Sequence, residues 1–402
     1  MDFGMIPKHI LLIVWLIPIL IGCVGGDRFT ATAWSGVALD EKEELLYIST
    51  GNGKLKGFDA DTGKQLAEFP SHGSKDDLGQ FYSAPTVSGD WVFVASYQDK
   101  KSGCGPSDEQ GKAPCGRIYG LKWIGEGDDR RLHREWVYPR TREHPVGGFI
   151  GSPAVEGNLL VVGSSDKKVY AINTAEDGKL EWVFDGAKDK IWSTPTIAEG
   201  VVYFGSLDHS LYAVDLNSGG KLWSYPSDGA ITSRPVVKDG ILYFGSFDKH
   251  IYALDKNDGE KLFDFQGDDW FWADLVTDEE LLYSGTLSGT VYGLNLSTLQ
   301  EEWEYPTDVT GGIVAAPVIA GDQVGVFSDE GYFVFFNSAD GEDLWNSSIE
   351  EDDDVSFRAS PVAYGDSVVV MKSNCSAHRL NWKVSSNRYN KFDWIEKVDL
   401  CE

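Results

Sequence analysis

Apolar and polar residues alternate along this chain in short runs, and the runs repeat. The clearest copy spans 194–225, TPTIAEGVVYFGSLDHSLYAVDLNSGGKLWSY. It returns at 233–265 as SRPVVKDGILYFGSFDKHIYALDKNDGEKLFDF and stands upstream at 151–184 as GSPAVEGNLLVVGSSDKKVYAINTAEDGKLEWVF. Each copy predicts four short strands. The first is an x-Pro-x-Val type of run at Thr196 and Ile197, and the second is the apolar, aromatic run Val202-Tyr203-Phe204. The third alternates from Leu211 to Asp215, and the fourth carries Trp223. Between them, Gly205-Ser206-Leu207-Asp208 and Asn217 to Gly220 supply the small and Asx residues that tight turns use. Strand formers broken by turn clusters about every 8–12 residues predict an all-β chain.

The copies can be counted from the proline of the first strand. It stands at Pro85, Pro153, Pro195, Pro235, Pro317 and Pro361, with Leu275 in its place in one copy. An opening copy at Ser35-Gly36-Val37-Ala38-Leu39 lacks both the proline and the tryptophan. From 153 onward the spacings are 42, 40, 40, 42 and 44 residues, whereas the step from 85 to 153 is 68. The excess marks an insertion within 97–134, where a Gly- and Pro-containing loop replaces a tight turn and a charged stretch precedes Trp136. Eight copies of a four-stranded antiparallel unit predict an eight-bladed β-propeller over 34–402, with blades standing around an axis.

The repeat Tyr-Ala-x-Asp-x-x-x-Gly-x-x-x-Trp is written out by Tyr212, Ala213, Asp215, Gly219 and Trp223, and Gly178 with Trp182 and Gly341 with Trp345 match its end. It resembles the pyrroloquinoline-quinone (PQQ)-type repeat propellers. The resemblance implies that the tryptophan of one blade packs on the glycine turn of its neighbour, here through Trp136, Trp182, Trp223, Trp303 and Trp345. It is strong for fold and weak for function, because that family holds both enzymes and non-catalytic scaffolds.

The first 22 residues stand apart from the repeats. Lys8 and His9 precede an apolar run of 12 residues, Ile10 to Ile21. That is too short to span a hydrocarbon core of ~30 Å comfortably and has the dimensions of a signal peptide. Leu20-Ile21-Gly22-Cys23 resembles a bacterial lipobox, which makes Cys23 the expected lipidated residue and 23–33 the tether. An uncleaved anchor, or cleavage after Gly22 without a lipid, is the alternative. Four further cysteines, Cys104, Cys115, Cys375 and Cys401, follow this export signal, and an even number there predicts disulfides. Three pairings are possible; proximity favours Cys104 with Cys115 and Cys375 with Cys401. The expected location is extracytoplasmic and membrane-anchored.

Charge narrows the partners. Sixty-three acids against 35 bases give a net charge of −28. A nucleic-acid binder needs the opposite balance. No Gly-x-Ser-x-Gly elbow, phosphate-cradling loop or Cys-x-x-Cys pair occurs. The quinoprotein dehydrogenases of the resembling family carry an adjacent Cys-Cys pair and a Glu–Asn–Asp calcium set; this chain has no adjacent cysteines and lacks their long roofing insertions. No catalytic residue, metal or cofactor is therefore expected. The chain resembles more closely the BamB-like lipoprotein propellers of the outer-membrane β-barrel assembly machinery, which implies a non-catalytic scaffold, monomeric as a propeller, with a protein partner at the membrane surface. A dehydrogenase of alcohols or sugars with a divergent PQQ and Ca²⁺ site is the alternative.

The most deviant link between copies is Gly267-Asp268-Asp269-Trp270-Phe271-Trp272-Ala273-Asp274. Three aromatics in a row cannot all be core under a period of two. Asp268, Asp269, Trp270, Phe271 and Trp272, with Trp192 and Arg358 from the matching links, form the candidate ligand or partner rim.

Overall fold

A computed structural model describes residues 36–71, 78–97, 107–108, 111–112, 116–125, 129–140, 146–303, 309–348, 356–372 and 377–381. These residues are all-β and form an eight-bladed β-propeller of antiparallel blades. Blade 4 gives the plan: Thr196–Ala198, Val201–Gly205, Ser210–Asp215 and Lys221–Pro226 pair in sequence order. The third and fourth strands slip register between Ala213 and Val214, and the same bulge recurs at Ala171/Ile172 and Ala253/Leu254. A bulge bends the outer strand and re-aims its side chains. Blade 6 is described as three strands, with a single bridge from Leu294 to Glu301 at the fourth position. Blade 8 is also described as three, ending with Ala377–Asn381.

The core lies between blades. Val161, Val169, Ala171 and Trp182 of blade 3 pack on Val202, Phe204, Tyr212 and Leu216 of blade 4. The middle strands are buried on both faces, so they read as continuous apolar runs and not as strict alternation. The ring closes by direct packing: Val37, Leu46, Ile48 and Phe58 of blade 1 share a cluster with Val369, Met371 and Ala377 of blade 8. Tyr364 donates to the Asp61 carboxylate at 2.8 Å, and Arg379 donates to the carbonyls of Ala60 and Asp61. Residues 1–33, where a signal and tether are expected, with Cys23, and the four cysteines Cys104, Cys115, Cys375 and Cys401 lie outside the described residues.

Four of the tryptophan pegs are where the repeat puts them. A methyl on Gly178 would meet the Trp136 ring at 2.4 Å, and one on Gly219, Gly259 or Gly341 would meet Trp182, Trp223 or Trp303 at 2.6 Å. All four glycines have φ between 67 and 77°, where a side chain is strained in any case. The indole Nε1 of Trp182, Trp223 and Trp303 donates to the carbonyl of Leu216, Lys256 and Ser338 in the next blade. Trp345 lies on the outer strand Asp343–Ser348, but its side chain is outside the described residues.

The charged stretch before Trp136 is not a loop excursion. Ile118–Ile124 and Arg131–Tyr138 are the third and fourth strands of blade 2, lengthened into one hairpin. Its far end clasps blade 1, which has no tryptophan peg of its own. The Trp123 ring covers Gly57, its Nε1 donates to the Tyr47 hydroxyl at 2.7 Å, and Arg130 lies over it at 4.6 Å. Most of the extra residues fall in the segment between Tyr97 and Gly116, and the lengthened hairpin takes some of the rest.

Candidate functional site

Each blade is entered by a link whose residues alternate. Ile191, Ile231, Phe271 and Ile313 point into the wall and are fully buried. They cover Gly163, Gly205, Gly245 and Gly285 of the preceding blade's second strand, where no side chain fits. The next residue in each link, Ile150, Trp192, Thr232, Trp272, Val314 or Arg358, lines an axial cavity of about 520 Å³. The residue after that is small and buried, as in Ser193, Ser233 and Ala273. The following one returns to the cavity as Ser152, Thr194, Arg234, Asp274 or Ser360. Blade 2 supplies Tyr82 in the same register. A period of two thus sorts the candidate aromatics.

Phe271 is the correction this sorting forces on the candidate rim. It occupies the isoleucine position and sits in the wall between blades 5 and 6, against the Tyr292 ring. Trp270 and Trp272 take the opposite course. Phe247, from the turn after the second strand of blade 5, stacks on Trp270 at 4.9 Å and 8° and on Trp272 at 5.2 Å and 25°. The three half-buried rings form a continuous stack from the rim toward the axis. Sequence reading left out Phe247 because the turn position it fills is Leu207 or Ser165 in neighbouring copies and carries no aromatic signal there.

Link and turn share one face because the backbone ties them together. Leu207, Phe247 and Leu287 donate to the carbonyls of Lys190, Ala230 and Trp270. Most turn aspartates hold this geometry. Asp208 accepts from the Lys188 N–H and the Tyr212 hydroxyl, and Asp248 accepts from the Asp228 N–H and the Tyr252 hydroxyl. Blade 6 inverts the arrangement: the carboxylate moves to the link, as Asp268, and the turn presents hydroxyls. Thr286, Ser288, Thr290 and Tyr292 donate to it at 3.0, 2.5, 2.7 and 3.1 Å. Partial burial works against the charge, the four hydroxyls outweigh it, and the Asp268 pKa lies below the ordinary carboxylate value. Asp269 is paired with Lys249 at 3.5 Å.

Asp274 is the opposite case. It keeps some surface toward the cavity, but protein encloses it on the remaining sides, and this enclosure raises its pKa. The Arg234 backbone N–H, 2.7 Å from Oδ1, and the Arg234 charge only partly offset that. Trp192 lines the cavity with its Nε1 buried and without a hydrogen-bond partner among the described residues, and Lys190 stands 5.5 Å from its ring.

The residues of the cavity do not fit a quinone held with Ca²⁺. Ca²⁺ takes about six to eight oxygen ligands, several of them carboxylate. Among the described residues, Asp274 is the single carboxylate in the cavity lining, and no three His, Cys, Asp or Glu side chains come together.

Comparison with known proteins agrees with this geometry. The computationally designed Ika8 protein is similar over 87% of this chain and 96% of its own, at 18% identity and a TM-score of 0.67. BamB from Moraxella catarrhalis is similar over 76% of this chain and 83% of its own, at 20% identity and a TM-score of 0.57. Both show the fold. A search of the curated proteins finds no match. The family model described as outer membrane protein assembly factor BamB matches residues 31–265 and 266–388, nearly the whole ring of repeats. With its PQQ-type blades, tryptophan pegs and closed ring, the chain belongs to the BamB family.

Proposed function

We propose that this protein is a non-catalytic scaffold, held outside the cytoplasm by a lipid on Cys23, that binds a protein partner through its loop rim and works as a monomeric propeller. The observation that carries the reading is the Trp270–Phe247–Trp272 stack. Stacked aromatic faces on a polar rim are the kind of surface that partner proteins bury, because they present large area at small conformational cost. Membership in the BamB family supports a scaffold, and a match described as an assembly factor fits partner binding. The apolar run ending in Cys23 supports the anchor, and the even number of remaining cysteines fits an oxidising compartment.

The test is affinity purification of the full chain from native membranes after mild cross-linking, with Trp270→Ala alongside. A partner enriched with the wild type and lost with the variant, at unchanged unfolding temperature, is the expected result. A variant that retains every partner removes the stack from the reading. Fractionation of Cys23→Ser tests the anchor: the variant is expected in the soluble extracytoplasmic fraction, and continued membrane attachment would contradict lipidation.

A further inference from the structure

The charge inside the propeller is opposite to the charge of the whole. The chain carries −28 overall, yet among the described residues the charged side chains lining the axial cavity are Arg234, Arg358 and the single carboxylate Asp274. Both arginines are exposed to the cavity. They come from blades 5 and 8, three positions apart around the ring, so they approach the axis from different sides.

Neither guanidinium is neutralised by a salt bridge among the described residues. Arg234 is held from the blades on either side: its Nε donates to Thr196 Oγ1 of blade 4 at 3.2 Å, and its backbone N–H donates to Asp274 of the blade 6 link. The Nε bond leaves the terminal N–H groups of the fork without a protein partner among the described residues. Arg358 follows the buried Phe357, which anchors its backbone against Phe327. Asp274 is the one carboxylate facing them in the described lining, and enclosure raises its pKa. Trp192 and Trp272, from the links on either side of the Arg234 link, add apolar faces to the lining, and the Trp192 Nε1 is a buried donor with no acceptor among the described residues.

We infer that the axial cavity is a binding site for a small organic carboxylate, gripped by Arg234 and Arg358 with its apolar body against Trp192 and Trp272. Guanidinium forks match carboxylate geometry and hold their charge at any physiological pH. A cavity of about 520 Å³ suits a small ligand, in the ordinary range of roughly 300–1,000 Å³, and is too confined for a folded partner. The site needs no metal, since arginine supplies the positive charge. It shares Trp272 with the stack that carries the protein-partner reading, while its two arginines take no part in that stack.

The test is equilibrium dialysis of the purified full chain with 2-naphthoate, its neutral isostere 2-naphthamide, and the cation benzamidinium. Naphthoate is expected to bind at one per chain, at least tenfold more tightly than naphthamide, and benzamidinium not at all. EDTA is expected to leave the affinity unchanged. Arg234→Gln and Arg358→Gln are each expected to weaken naphthoate by roughly tenfold or more, the usual scale of a lost charge-assisted hydrogen bond, while Arg234→Lys retains part of it. Thermal unfolding of each variant reports whether the ring is intact. Equal binding of naphthamide, full affinity in Arg234→Gln and Arg358→Gln, a requirement for metal, or no naphthoate binding at millimolar concentration would each overturn the assignment. Partner capture from membranes is read separately, so the scaffold reading stands or falls without this result.

Discussion

The seam between blades 3 and 4 and the seam between blades 5 and 6 join the same kind of sheet by different means. At the first, the buried Trp182 lies on Gly219 and its Nε1 reaches the Leu216 carbonyl at 2.8 Å. At the second, the peg position is Phe263, which is 38% exposed, and the glycine position is Leu299, which is 2% exposed at φ 52°. Leu299 fills the space from its own side and joins Leu296 and Leu294 in the core. The inner half of both seams is conventional, with Ile191 on Gly163 and Phe271 on Gly245. The ring therefore holds together by its inner contacts throughout, while the outer contact can change identity. Beside the clasp of blade 2 on blade 1, three departures gather at one place: the exchanged peg, the inverted Asp268 arrangement and the aromatic stack all belong to blades 5 and 6. Repetition maintains cohesion, and the departures from it create a surface.

The largest expected effect breaks the regular seam. Trp182→Ala should lower stability by ~3–5 kcal/mol in denaturant unfolding, the scale for truncating a buried large aromatic. A loss below about 1 kcal/mol would mean the peg is decoration. Leu299→Gly attacks the irregular seam and should cost about 2 kcal/mol or more, with relief of the positive φ offsetting part of the lost burial. Combining it with Phe263→Trp rebuilds the regular peg. A double-mutant cycle should then show about 1 kcal/mol of favourable coupling, and strict additivity would show that the two positions do not exchange roles. Phe263→Ala alone should change stability by less than about 1 kcal/mol, because the ring is already substantially solvated.

The smallest effects separate two carboxylates six residues apart on the blade 6 link. Asp268 has a lowered pKa in the folded state, so its contribution is present above the ordinary carboxyl pKa and is lost as pH falls through the folded value. Asp274 has a raised pKa, so its ionisation penalty is absent at low pH and grows as pH rises from the ordinary carboxyl value through the folded one. In chemical denaturation between pH 3 and 8, Asp268→Asn should flatten the acid side of the stability profile. Asp274→Asn should raise stability toward neutral pH relative to the wild type. Profiles that shift in the same direction would remove the contrast.

Much of the ring was legible because the repeat is a local property. Gly219 and Trp223 can be matched to Gly259 and Trp303 by eye, and the turn residues Asp215 and Gly219 specify their own geometry through the Ser218 N–H and hydroxyl and the Asp215 carbonyl. The deviant stretch 267–274 was also visible as a departure from the repeat. Its division into wall and cavity residues was less legible. Phe271 read as a rim aromatic, since composition alone does not say which of three adjacent rings meets the small residue of a neighbouring strand. Phe247 and Arg234 went unread, because each sits in an otherwise ordinary copy.

The amino-acid sequence by itself determined the number of blades, their four-strand plan and the inter-blade pegs, because each depends on residues within one repeat length and on turn chemistry set by near neighbours. Only the tertiary structure decided how the ring closes, that the charged stretch before Trp136 clasps blade 1, and which side chains meet at the axis. Those outcomes join residues hundreds of positions apart, such as Asp61 with Tyr364, or bring Trp192, Arg234, Trp272 and Arg358 to one cavity. Their physical cause is closure: once the inter-blade apolar faces are buried in a circle, alternation along each link decides which residue must face inward.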